Sequence, residues 1–274
     1  RRNNDLEELN ASDLFQKDAT SLRMSDIGYQ SKAQKNLDFK YNDLASFLNE
    51  LKTGIIMPHP EFQKLGLQDE NSKYQQISDG ILQIENELYD CIRPKRAGKS
   101  GQRPYQLLKD QGIQYVEVRG IDLNPSSLLG ITEDQIRVLD LLLIYCIVND
   151  SPEMTDEEKL IIEKTDITTI KYGREDSSKI NYRNSEIPIS QARDHLVENL
   201  LLLANEMDDQ EYANAINSLK VKKNVFNQNK SFHETGLELA KNNSIKLNSL
   251  SNIDLDVCKK EASDSLIEFD RINK

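Results

Sequence analysis

Tryptophan is absent from this chain, and cysteine is scarce: Cys91, Cys146 and Cys258 stand far apart, with no CxxC pair. Three isolated cysteines frame neither a disulfide scaffold nor a zinc site, so free thiols and a reducing, cytoplasmic compartment are expected. A basic excess is missing too. The 35 Lys and Arg are outnumbered by 46 Asp and Glu, and a formal charge of −11 argues against a nucleic-acid or anionic-membrane footprint. Long apolar runs are also lacking. The longest, LDLLLIYCIV at 139–148, is interrupted by Asp140 and falls short of the about 20 apolar residues that cross a bilayer, so it predicts a core helix. The opening RRNNDLEEL carries neither an initiator methionine nor an apolar signal stretch, and the expectation is a chain that starts inside a longer one.

What is present suffices for one large or two small domains, since 274 residues can bury a sizeable core. Residues 1–20 are polar and aperiodic and read as a linker or incomplete element. Residues 21–130 hold the strand signals, and 131–274 are expected to be a helical region packed on the sheet. In YNDLASFLNELKTG, Leu44, Phe47, Leu48 and Leu51 fall on one helical face, with Asn42 or Asp43 as cap and Gly54 as the stop. In GILQIENELYD, Leu82, Ile84 and Leu88 alternate with Gln83, Glu85, Glu87 and Tyr89, which predicts a strand. Thr132 and Gln135 form a capping-box pattern ahead of the apolar helix, and helices are expected from there to the end.

The stretch YVEVRGIDLNP, residues 115–125, carries the chemistry. Alternation puts Glu117 and Arg119 on the face of Tyr115 and predicts that Val116 and Val118 pack on the other. Such a pair is either an ordinary surface ion pair or a magnesium ligand beside a phosphate clamp, because a hard cation takes carboxylate oxygen and a guanidinium grips phosphoryl oxygens. Arg93, Lys95 and Arg96 precede a glycine-containing loop and are either nucleotide-phosphate ligands or solvated charge. Glu85 and Glu87 are open between metal binding, support of the site and pairing with the arginines. None of the cysteines reads as catalytic.

Four runs in order, TSLRMSDIGY (20–29), ILQIENELYDCIRPKR (81–96), YVEVRGIDLNP (115–125) and QIRVLDLLLIYC (135–146), closely resemble the proteobacterial glutamate-cysteine ligases. The resemblance implies an α+β fold: part of a glutamine-synthetase-like curved antiparallel sheet, followed by a mostly helical C-terminal layer. It implies ATP-dependent joining of the γ-carboxylate of L-glutamate to the amine of L-cysteine through a γ-glutamyl phosphate, the first step of glutathione synthesis, in a monomeric enzyme using Mg2+ or Mn2+. By motif, Glu117 would be a metal ligand and Arg119 would contact the transferred phosphoryl group. Arg23, Tyr29 and Tyr89 would hold the amino acids, Tyr89 facing the cysteine carboxylate. Family members extend further on the N-terminal side, so a C-terminal portion lacking part of the site is expected. The alternatives are a related glutamate-amine ligase with another acceptor, or a noncatalytic acidic helical binding module.

Overall fold

The structure is a computed structural model and describes residues 6–8, 11, 14–28, 31–175, 177–183, 185–225, 232–249 and 255–272. The fold is α+β. In chain order it contains β1 (Glu7–Glu8), β2 (Leu14–Phe15), α1 (Leu44–Ile56), α2 (Pro60–Leu65), β3 (Ile92–Lys95), α3 (Pro104–Gln111) and β4 (Tyr115–Val118). After these come α4 (Glu133–Val148), α5 (Asp156–Tyr172), β5 (Lys179–Tyr182), β6 (Ser185–Pro188), α6 (Ile189–Glu206), α7 (Gln210–Val225), α8 (Phe232–Ser249) and α9 (Leu255–Ile272). The strands form three antiparallel pairs, β1 with β2, β3 with β4 and β5 with β6. No helix among the described residues is long and apolar enough to cross a membrane.

Contacts divide the chain into one unit of residues 1–122 and 143–200 and another of 123–142 and 201–274. The core of the first is built on α1. Phe47, Leu48 and Leu51 are buried there with Leu37, Ile81, Leu82, Leu88 and Leu108, and Leu44 packs against them, as the helical spacing predicts. Asp43 caps α1 by accepting from the Ser46 amide at 2.8 Å. Gly54 does not end the helix. A Cβ there would lie 2.9 Å from a Leu82 methyl and 3.0 Å from one of Leu37, so the glycine allows close packing and α1 runs on to Ile56.

The strand expected over 82–89 does not form. Leu82 and Leu88 are buried as their pattern suggests, but the chain between them makes a 3-10 turn at Glu85–Glu87. Side chains take up the polar backbone groups that a ladder would otherwise satisfy. The Gln34 amide donates to the Glu87 carbonyl at 2.6 Å and accepts from the Tyr89 N–H at 3.0 Å, while Glu87 Oε2 accepts from the Gln83 N–H at 2.7 Å. Pairing begins only at Ile92.

α4 starts at the Thr132–Gln135 box, where the Gln135 N–H donates to Thr132 Oγ1 at 3.3 Å and Gln135 Oε1 accepts from the Thr132 N–H at 3.0 Å. It buries Leu141 fully but leaves Ile147 and Val148 exposed, so it is less of a core helix than its composition predicts. α5 opens on a capping box of Thr155 and Glu158. The β5–β6 hairpin falls in a stretch expected to be helical or irregular. Its turn places Arg183 at φ 50°, the left-handed conformation that short hairpin loops favour. In the second unit, Asp134, Arg137 and Asp140 of α4 bond to Ser218, Glu211 and Tyr212 of α7.

Candidate functional site

The β3–β4 register sets Arg93 opposite Glu117 and Lys95 opposite Tyr115, so these four side chains share one face and Arg119 follows on it. Glu117 sits among three cations. Its Oε2 accepts from Arg93 Nε at 3.0 Å and Nη2 at 2.5 Å and lies 3.7 Å from Lys95 Nζ, and its Oε1 is 3.3 Å from Arg119 Nε. Burial pushes the Glu117 carboxyl up, but the Arg93 hydrogen bond and charge, with Arg119 and Lys95, overcome it and hold the group below its ordinary value. Lys95 is held below its usual value by burial and then by the charges of Arg93 and Arg119, against the pull of Glu117. Two positive charges in excess make this face favour an anion.

The opposite face does not behave as expected. Val116 is 44% exposed, whereas on the charged face Arg93 is 4% exposed and Tyr115 49%, so burial there is local to Arg93. The cover comes from the turn at 85–89: Arg93 Nη1 donates to the carbonyls of Asn86 at 3.1 Å and Leu88 at 2.9 Å. Arg93 is thereby a buried strut between the turn and Glu117. Arg96 is also committed to protein groups, its Nε donating to Gly112 O at 2.6 Å and its Nη2 to Gln111 O at 2.7 Å, which satisfies carbonyls at the end of α3. Of the three basic residues singled out in the sequence, Lys95 is the one left facing the ion-paired carboxylate. Glu85 is buried and grips Arg103 with both oxygens, at 2.9 and 3.0 Å.

Arg119 also lines a cavity of about 810 Å³ shared with Arg23 and Tyr89. The structure therefore brings together three residues taken from three separate runs of the sequence; Tyr29 lies outside the described residues. Arg23 Nη1 donates to the carbonyls of Arg119 at 2.8 Å and Ile121 at 3.0 Å. A further wall is α5, through Lys159, Glu163, Asp166, Ile167, Ile170 and Lys171. The sequence reading missed this wall. Its signal was present in the i, i+3, i+4, i+7, i+8 spacing of 163, 166, 167, 170 and 171, whereas Gln34, which also lines the cavity, gave none. Asp166 is pushed above its ordinary value by burial and then by the neighbouring carboxylates of Asp90 and Glu163.

Cys91 lines the same cavity, and burial, followed by the charge and hydrogen bond of Asp90, pushes its thiol up to about 11. Alkylation of Cys91 by iodoacetamide, followed by peptide mass spectrometry, is expected to reach half its maximal rate near pH 11. A midpoint at or below the ordinary 9.0 would show that neither burial nor Asp90 governs the thiol.

Magnesium has a limited foothold. Among the described residues no three His, Cys, Asp or Glu side chains converge to hold a metal ion. Glu117 has both carboxylate oxygens facing cations, Oε2 bonded to Arg93 and Oε1 3.3 Å from Arg119 Nε, so a magnesium ion would gain at most Oε1, after that ion pair opened, and would depend on phosphate oxygens and water for its other ligands.

The profile of the glutamate-cysteine ligase family matches residues 1–168. The chain is 40% identical over 191 residues to a glutamate-cysteine ligase of Saccharophagus degradans, an alignment covering 69% of this chain and 36% of that protein. It is 42% identical over 194 residues to one of Serratia proteamaculans, covering 70% of this chain and 37% of that protein. It thus spans little more than a third of the length of these curated relatives. The crystal structure of a Francisella tularensis glutamate-cysteine ligase in complex with AMP superposes with a TM-score of 0.82 at 26% identity, covering 99% of this chain and 57% of that one. With the match over residues 1–168 and a shared fold, this chain belongs to the glutamate-cysteine ligase family.

Proposed function

We propose that the protein serves the ATP-dependent joining of the γ-carboxylate of L-glutamate to the amine of L-cysteine, as a monomer in the cytoplasm, where ATP and reduced thiols are at hand. The γ-phosphoryl group of ATP passes to the glutamate carboxylate, the cysteine amine attacks the resulting acyl phosphate, and inorganic phosphate leaves. Such chemistry is mostly positioning and charge neutralisation. The observation that carries the reading is the position of Arg119, which belongs both to the cation-rich face around Glu117 and to the wall of the cavity.

In this reading Arg119 grips the transferred phosphoryl group and Lys95 steadies the nucleotide phosphates, while Arg93 and Arg96 act through the protein contacts that hold the face in shape. Tyr89, Tyr29 and Arg23 serve the amino-acid side. Glu117 would hold magnesium, which when bound neutralises phosphate charge. The reading is tested by ADP release with magnesium, L-glutamate and L-cysteine, using this chain alone and the same chain extended N-terminally with the matching part of a relative. Release that needs both amino acids in either protein supports the assignment. ATP binding without release in both would favour a noncatalytic module, and neither binding nor release would end the ligase reading.

A further inference from the structure

The ladder face that carries the cations ends in an aromatic side chain. Tyr115 stands two residues before Glu117 and four before Arg119 on that face, and the β3–β4 register sets it opposite Lys95. Its ring is half exposed. Backbone pairing continues beyond both ends of β4: the Gln114 N–H donates to the Lys95 carbonyl at 2.9 Å and the Arg119 N–H to that of Cys91 at 2.6 Å. The Tyr115 end is braced further by side chains. Gln114 Oε1 accepts from the Ala97 N–H at 2.9 Å, and Arg96 bonds the carbonyls of Gln111 and Gly112, where α3 gives way to β4. On the other face of the ladder Val116 lies opposite Pro94 and Val118 opposite Ile92, with no charged group in either pair.

We propose that Tyr115 is the platform on which the base of the nucleoside triphosphate stacks, the nucleotide lying along β4 with its terminal phosphate at Arg119. This rests on the reading above, in which Arg119 and Lys95 meet the phosphates, and adds the base to it. Side chains two apart on one strand face are separated by about 6.7 Å, so Tyr115 and Arg119 stand about 13 Å apart. That is the reach of an extended nucleoside triphosphate from its last phosphate to its base. Glu117 and the Lys95 ammonium, 3.7 Å from it, fall between the two, where the inner phosphates would run. Arg119 lines the cavity together with Arg23 and Tyr89, whereas Tyr115, Glu117 and Lys95 do not, so the base platform and the cavity flank Arg119 separately. A ring face attracts any base and reads no base identity, so the platform gives affinity without choosing the purine.

The test is titration of ATP, GTP and inorganic tripolyphosphate, each with magnesium, into wild type, Tyr115→Phe, Tyr115→Leu and Tyr115→Ala, with melting curves to confirm folding. Tyr115→Leu and Tyr115→Ala are each expected to weaken ATP and GTP about tenfold, and Tyr115→Phe, which keeps the ring, by less than about twofold. Tripolyphosphate, which has no base, should bind all four proteins alike. Equal losses for ATP and tripolyphosphate, no loss for either, or a Tyr115→Phe loss as large as that of Tyr115→Ala overturns the platform and leaves the phosphate contacts standing. Wild type that binds tripolyphosphate but not ATP does the same. Wild type that binds neither overturns both the platform and the function proposed above.

Discussion

Replacing Arg93 with alanine is expected to destabilise the fold by about 3–5 kcal/mol, read as a lowered midpoint in urea denaturation. The guanidinium is almost wholly buried and makes hydrogen bonds to Glu117 Oε2 and to the carbonyls of Asn86 and Leu88. Truncation would take the donor from two carbonyls and leave Glu117 to the more distant Lys95 and Arg119, at 3.7 and 3.3 Å, and unmade bonds at buried groups cost more than the net gain of making them. Against a typical domain stability of about 5–15 kcal/mol, such a loss is large. Arg93→Lys is expected to fall in between, because an ammonium keeps the charge but cannot reach three acceptors in a planar fork. A loss below about 1 kcal/mol for the alanine variant would mean that the 85–89 turn and β3–β4 are held by apolar packing instead.

Arg119→Ala is expected to separate activity from stability, and Glu117→Gln is not. Arg119 pairs with Glu117 at 3.3 Å and keeps 30% of its side chain exposed, a pair of the kind worth about 0–1 kcal/mol. Its removal should leave the urea midpoint nearly unchanged, while ADP release, in whichever chain shows it, falls by about 10²–10³-fold as it does when one transition-state donor is lost. Glu117→Gln should lower both, because the buried Arg93 then lacks its countercharge. Glu117 also has a pH signature. Its folded-state value lies below the ordinary 4.5, so its contribution to stability is full above that value and is lost as the pH falls through the lowered one. The glutamine variant should lack that part of the acid dependence. A stable Glu117→Gln with wild-type acid unfolding would show the ion cluster to be incidental, and wild-type turnover in Arg119→Ala would remove Arg119 from the reaction.

Local signals were legible wherever a single element decides the outcome. The α1 spacing names its buried face, Thr132 and Gln135 mark the start of α4, and two-residue alternation puts Glu117 and Arg119 on one side of a strand. Legibility ended where a side chain from elsewhere satisfied the backbone. The 82–89 stretch has the sequence alternation of a strand, yet its buried residues are Leu82, Glu85 and Leu88, three apart, and Gln34 and Arg93 take up its polar groups as it turns. Nothing within those eight residues encodes Gln34. The α5 wall was overlooked for a different reason: its cavity-lining residues are mixed in charge and polarity, so their helical spacing does not register as an apolar stripe.

By itself the sequence determined which residue types lie in which motif, which helices start where, and that the chain carries the runs of its family. The tertiary structure decided their employment. Register across β3 and β4 turned Arg93 from a candidate phosphate ligand into the buried partner of Glu117, and the nearby end of α3 took Arg96, leaving Arg119 and Lys95 beside the carboxylate. The physical reason is range. Propensity and alternation act within a few residues, whereas an arginine's role is set by whichever acceptors the folded chain brings within about 3 Å of it, and for Arg23 those acceptors lie 96 and 98 residues away.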